Sequence, residues 1–182
     1  MGGTLWPAIV TPRLELVSLE PAVIDAIVDG AAHRAGLSVP EGWPDAHDDG
    51  FLRSRRAQME ADPSVAQWVR GVVVPGSAPL RALAGHAGFH GPPGVNGSGI
   101  AGALEVGYTI FQAYRGRGYA TEAVAALIAW ADREHGVRHF FASVAPDKVP
   151  SLAVVARLGF VRSGERWDDE DGLEHVFERR TG

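Results

Sequence analysis

Residues 104–120 read L-E-V-G-Y-T-I-F-Q-A-Y-R-G-R-G-Y-A. Residues 104–111 are rich in β-branched and aromatic side chains and predict a strand. Residues 119–135 predict the strongest helix of the chain. There Ala120, Val124, Leu127, Ile128 and Ala131 fall on one stripe, and Gly136 ends the run. The join, Tyr114 to Ala123, holds two glycines and no acid at the turn itself, so backbone can come close to a ligand. The first N–H groups of a helix have no internal partners and sit at its positive end. Arg115 and Arg117 add charge, so the join reads as a phosphate or pyrophosphate site. A plain strand–helix turn with surface arginines is the competing reading. Neither G-K-[ST] nor G-x-G-x-x-G is present.

Outward from this segment the chain alternates. Residues 13–17 predict a strand, 21 to about 33 a helix begun by Pro21, and 34–47 a loop. Asp48 or Asp49 is expected to cap a second helix running to about Ala61, stopped by Asp62-Pro63. Residues 66–74 and 80–90 predict strands, with Gly85 and Gly88 marking a bulge or a close backbone approach. Residues 91–102 predict a flexible hairpin connection. Residues 138–144 predict a strand and 150–158 a helix closed by Gly159. Residues 160–167 and 174–179 predict a hairpin around an acidic turn, Asp168 to Asp171. This is a mixed α/β pattern on one sheet, read as a single domain over 1–182.

The 182 residues suffice for a core of their own; 46% are apolar and 21% charged, as in globular proteins. A net charge of −5 argues against general nucleic-acid binding. No apolar run is long enough for a membrane helix, and the N-terminus lacks a signal-peptide pattern, so a cytoplasmic protein is expected. The absence of cysteine excludes thiolate metal sites and a cysteine nucleophile. Alanine-, glycine- and arginine-rich usage suggests a bacterial genome rich in G and C.

R115-G-R-G-Y-A120 resembles the Q/R-x-x-G-x-G/A signature of the GNAT N-acetyltransferases. V106-G-Y-T-I110 before it and S151-L-A-V-V-A-R-L-G-F160 after it are similar to the branch that includes ribosomal-protein N-terminal acetyltransferases. The resemblance spans roughly 11–179 in element order and is motif-specific over about 104–160. It implies a centrally splayed sheet of about six to seven strands flanked by helices. It also implies acetyl-CoA, or another acyl-CoA, as cosubstrate between strands 104–111 and 138–144. Backbone groups of Ile110 and Phe111 would meet the pantetheine arm. N–H groups of Arg115, Gly116, Arg117, Gly118, Tyr119 and Ala120 would hold the pyrophosphate. An N–H near Ile110 would face the thioester oxyanion.

The implied reaction is direct attack of a primary amine on the thioester, which needs a base. Glu105 is the first candidate, on one strand face with Gly107, Thr109 and Phe111; an ordinary ion-paired glutamate is the alternative. Lys148 stands where that branch has Asn, and faces a CoA phosphate or solvent. Val155 stands where many members have a tyrosine acid. Ser151 is a weaker candidate donor, with helix capping as its alternative role. His86 and His90, four apart on a strand, are candidate acceptor-pocket residues, or a base near neutral pH. No third ligand adjoins them, so no metal is expected. His47-Asp48-Asp49 could bind a cationic amine. Trp43, Trp68, Trp130 and Trp167 read as core or pocket wall. The acidic turn reads as solvated.

The expected activity is therefore N-acetyl transfer. A non-catalytic acyl-CoA-binding or sensing module is the alternative, and a nucleotide-phosphate binder a third. The acceptor, set by residues 19–65 and 86–103, is a small-molecule amine or a protein N-terminus. A homodimer stays open; neither nucleic acid nor membrane is expected as a partner.

Overall fold

The computed structural model describes residues 6–76, 79–95, 99–169 and 172–182. Its strands are β1 (Ile9–Val10), β2 (Glu15–Ser18), β3 (Leu37–Ser38), β4 (Val69–Val74), β5 (Arg81–Phe89), β6 (Leu104–Ile110), β7 (His139–Val144), β8 (Val161–Asp168) and β9 (Gly172–Arg180). Its helices are α1 (Pro21–Val28), α2 (Ala46–Ala61), α3 (Tyr119–His135) and α4 (Val149–Arg157). The strands lie in the order β1-β2-β4-β5-β6-β7-β9-β8, with the short β3 on β5. Seven of the nine strands are longer than two residues, which matches the expected six to seven.

All pairings on the main path are antiparallel except one. β6 and β7 run parallel and pair only at Leu104↔Phe140 and Glu105↔Phe141. Beyond Glu105 they part, so the sheet is open at its centre. The bulge expected near Gly85 is present: the β4–β5 register shifts between Val72 and Val73, opposite Gly85 and Leu83. Gly85 and Gly88 also permit close approach. A Cβ on Gly85 would lie 2.1 Å from the Thr109 carbonyl oxygen, and one on Gly88 2.1 Å from that of Trp68.

Each face of the sheet buries its own cluster. On one side α3 presses Val124, Leu127 and Ile128 onto Leu104, Val106 and Phe140. On the other, α1 and α2 bring Ile24 and Leu52 onto Leu19, Val73, Leu83 and Phe111. Full burial of such a side chain contributes about 1.5–3 kcal/mol, which holds the helices to the sheet. The open centre is thus flanked by packed layers.

Three boundaries differ from expectation by more than two residues, and the expected 34–47 loop carries the short β3. α1 stops at Val28 because Gly30 turns left-handed (φ 68°), and residues 32–35 form a separate 3-10 turn. α2 is capped by Asp45, whose carboxylate accepts from the Asp48 N–H; Asp48 and Asp49 fall in its first turn. β4 starts at Val69, after a 3-10 turn over 63–68. Trp68 and Trp130 are core, packed edge to face at 5.3 Å. Trp167 is 75% exposed, so it is not core. Of the acidic turn, Glu170 and Asp171 lie outside the described residues, as do residues 96–98 of the 91–102 connection. No described helix is long and apolar enough to cross a membrane.

Candidate active site

The parting of β6 from β7 opens a cleft of about 290 Å³. Glu105 sits at its closed end and is 1% exposed. Burying a carboxylate needs compensation, and here it is supplied: Arg166 Nη1 lies 3.0 Å from Oε1, and the Ser143 hydroxyl donates to Oε1 at 2.9 Å. The other oxygen, Oε2, is 3.5 Å from His90 Nδ1. Desolvation works against the Arg166 cation, but the Glu174 and Glu105 carboxylates outweigh it and hold its pKa up. Ser151 and Lys148, at the start of α4, line the same cleft.

Strand alternation decides which backbone groups face the gap. The Phe111 N–H donates to the Ala84 carbonyl at 2.9 Å, and the His90 N–H to the Glu105 carbonyl at 3.0 Å. Odd-numbered β6 residues therefore turn their backbone groups to β5, and Val106, Tyr108 and Ile110 turn theirs to the cleft. The expectation at Phe111 is corrected by this: its N–H is already used. Ile110 keeps a cleft-facing N–H, while its carbonyl accepts from Arg115 Nε at 2.8 Å.

The cleft leads to the start of α3. Gly116 (φ 74°) and Gly118 (φ 77°) are left-handed, and nothing lies within 4 Å of a Cβ on Gly116. Gly118 is the N-cap of α3 and offers no side chain, so the first N–H groups stay open. An acid, Glu122, does stand in that first turn. It is neutralised by Arg13 (2.6 Å) and accepts from the Thr11 hydroxyl (2.7 Å). Arg13 also donates to the Arg117 carbonyl at 2.8 Å, bracing the loop.

On the opposite face lies a second cavity of about 280 Å³, between α2 and the β5–β6 ladder. Its floor includes Gly88 and Gly107, which are register partners. α2 contributes Asp48, Phe51 and Arg55. Phe51 stacks on His86 (4.9 Å, 21°). His86 Nε2 stands 3.4 Å from Asp48 Oδ1, and Trp43 Nε1 donates to Asp48 Oδ2 at 2.7 Å. The His86 ring beside Asp48, then Trp43, holds this carboxyl below its usual range despite some desolvation. His90 lines both cavities, and its Nε2 lies 3.1 Å from where a Gly107 Cβ would be. His86 and His90 share the pocket face, as their spacing predicted.

A family model described as an acetyltransferase (GNAT) domain matches residues 13–161. The chain belongs to the GNAT acetyltransferase family. It is an acyltransferase of that family's N-acetyltransferase type. Solved GNAT structures share its fold. A GNAT-family acetyltransferase from Bordetella pertussis is 26% identical, covers 94% of this chain and 98% of its own, and has a TM-score of 0.68. A structure from Vibrio cholerae titled as a ribosomal-protein-serine acetyltransferase is 21% identical, with 96% and 97% covered and a TM-score of 0.66. RimL, titled as a ribosomal L7/L12 α-N-protein acetyltransferase in complex with coenzyme A, is 18% identical, with 95% and 97% covered and a TM-score of 0.63. No curated protein matches the sequence.

The structure of this GNAT acetyltransferase brings Glu105, His90, Ser151 and Lys148 to one cleft, and the 115–120 loop to one end of α3. His86 lines the second cavity with Asp48. Ser151 is not the cap of α4; Lys148 holds the N-cap position, without a side-chain cap bond. Val155 is buried in the core beneath. Sequence reading missed four residues. Arg13 and Arg166 act through long-range ion pairs. Arg55 reaches the His90 carbonyl across 35 positions. Tyr108, also on the cleft, has its hydroxyl buried beside that of Ser151. Burial pushes its pKa up, opposed by Ser151.

Proposed function

We propose that residues 1–182 act as one acyltransferase domain that moves an acetyl group from acetyl-CoA to a primary amine by direct attack. One observation carries this reading: the open cleft and the acceptor-side cavity meet at His90, with Glu105 behind it. The donor set fits the cosubstrate. Open helix N–H groups and arginines suit a pyrophosphate, glycines without Cβ leave room for it, and the unpaired edge of β6 suits an amide-bearing arm. Acetyl-CoA supplies the activated acyl carbon and a thiolate leaving group.

An amine arrives mostly as ammonium. With Nδ1 turned to Glu105, His90 Nε2 accepts a proton from it, and Glu105 stabilises the imidazolium that forms. The nitrogen then forms a bond to the acyl carbon. The Ile110 N–H faces the developing oxyanion. As the C–S bond breaks, the sulfur takes a proton from the Ser151 hydroxyl, with Tyr108 beside it as the second donor. The second proton lost by the nitrogen restores that hydroxyl. Lys148, at the cleft rim, pairs with a CoA phosphate. In this reading the protein is an acetyltransferase at work in the cytoplasm, on a small amine or a protein N-terminus.

Calorimetric titration with acetyl-CoA, CoA and ATP tests the donor side, followed by thiol release with an amine panel. Binding of both CoA species and release with an amine support the proposal. CoA binding without release from any amine favours the sensing-module reading, which the Val155 substitution also favours. No CoA binding to folded protein overturns both.

A further inference from the structure

Among the described residues, the cavity under α2 holds a cation whose charge no acid meets. On α2, Arg53 pairs with Asp49 (2.7 Å), and Arg56 pairs with Asp25 (2.9 Å) and Glu60 (2.5 Å). Arg55 lies between them, yet no described carboxylate is within ion-pair reach of it. Position 58, one turn on, is Gln rather than Glu. Arg55 Nη1 donates to Gln58 Oε1 (2.9 Å) and to the His90 carbonyl (2.8 Å), both neutral. Its guanidinium lies over the Phe51 ring at 5.2 Å. Nε and Nη2, the edge that takes a carboxylate side-on, have no protein acceptor among the described residues.

A half-buried guanidinium without a counter-charge is costly, and desolvation lowers its pKa. The neighbouring acids do not offset it. Asp48 is two turns away, about 10 Å by helix rise, and is held by His86 and Trp43. Glu105 is paired with Arg166. Among the described residues Arg55 is the only Arg or Lys lining this cavity.

We propose that Arg55 recognises an anionic group of the acceptor. The acceptor is then a small amine with a carboxylate or phosphate a few bonds from its reacting nitrogen. This rests on the acetyltransfer reading above. His90 sets the separation: its carbonyl holds Arg55, and its ring stands at the cleft, so anion and nitrogen are about one amino-acid residue apart. A cavity near 280 Å³ suits a molecule of that size. Free amino acids and aminoalkyl phosphonates have this chemistry. An unmodified protein N-terminus with neutral first residues does not.

The test compares kcat/KM for thiol release with L-amino acids, their amides and aminoalkyl phosphonates, on wild type, Arg55→Gln and Arg55→Lys. Acids are expected to exceed their amides by about ten- to a hundredfold. Arg55→Gln brings that ratio near one, and Arg55→Lys restores part of it. No acid preference in wild type overturns the proposal. So does an equal loss with acids and amides in Arg55→Gln, or a preference for neutral peptides. Direct titration of the acids separates this from failure of the acetyltransfer reading. Acid binding that Arg55→Gln abolishes supports the anion site even if no amine is acetylated; no binding, or binding unchanged by Arg55→Gln, overturns it.

Discussion

His90 and Glu105 are joined twice. The His90 N–H donates to the Glu105 carbonyl at 3.0 Å, and His90 Nδ1 stands 3.5 Å from Glu105 Oε2. The backbone bond fixes where the ring starts, and the carboxylate fixes which nitrogen it turns inward. A base oriented in this way loses its function if either partner changes. His90→Ala and Glu105→Gln should each lower kcat by about a hundredfold or more, with acetyl-CoA affinity unchanged. The double variant should be little worse than either single one, because the pair acts as a unit. Steady-state kinetics on the three variants checks this.

Glu105→Gln should also cost stability. It removes one of the two carboxylates around Arg166 and leaves Glu174 at 2.9 Å. The loss should be about 1–3 kcal/mol, less than for a buried cation left alone. Urea unfolding at neutral pH measures it.

The α3 loop depends on Arg13 as well as on its glycines. Arg13→Ala leaves the Glu122 carboxylate uncompensated at the site proposed for pyrophosphate. CoA affinity should fall about five- to tenfold, and the Arg13→Ala/Glu122→Gln double variant should recover most of it. Gly118→Trp should abolish CoA binding, since it puts bulk at a left-handed position where a Cβ already lies 3.4 Å from Arg13 Nη2. Calorimetry gives both results.

Asp48 should set part of the acid limb of stability. Its carboxyl is held below the usual range, first by His86 and then by Trp43 against desolvation. Its contribution is present in full above the unfolded carboxylate value, about pH 4, and is lost as pH falls through the lower folded value. The stability gap between wild type and Asp48→Asn should therefore hold from pH 7 to 5 and shrink below about pH 4. Denaturation midpoints across that range test the sign.

Gly85→Ala should disturb the β5–β6 ladder. The added methyl would lie 2.1 Å from the Thr109 carbonyl oxygen and 3.0 Å from the Ile110 Cα, at a φ of 156°. A loss of about 1–3 kcal/mol is expected, with weaker CoA binding because the Ile110 backbone must shift. Unfolding and titration of one preparation report both.

The segment 104–136 was legible because its signals are local. A strand pattern, two turn glycines, an apolar stripe and a terminal glycine lie next to one another, and the structure follows them. Strand alternation and the splay bring Glu105 to the cleft, but its ion pair with Arg166 and its place behind His90 join residues distant in sequence and left no local sign. The cap of α2 was misread because three acids, Asp45, Asp48 and Asp49, crowd its start, and residue type alone cannot say which one caps. Arg55, Arg13 and Arg166 were invisible for another reason. Their partners lie on other elements or far along the chain, and long flexible side chains leave no periodic trace. The cavity proposed for the acceptor therefore appears only when α2 is laid on the β5–β6 ladder.

The short contact between β6 and β7 has a mechanical consequence. Strands β1 to β6 and strands β7 to β9 form two plates, bonded to each other through the register pairs Leu104↔Phe140 and Glu105↔Phe141. A guest arm lying along the free edge of β6 would serve as a tenth strand and rivet the plates together. Amide exchange in β6 and β7 would then slow with occupancy, and the empty and loaded forms would differ in stiffness more than in shape.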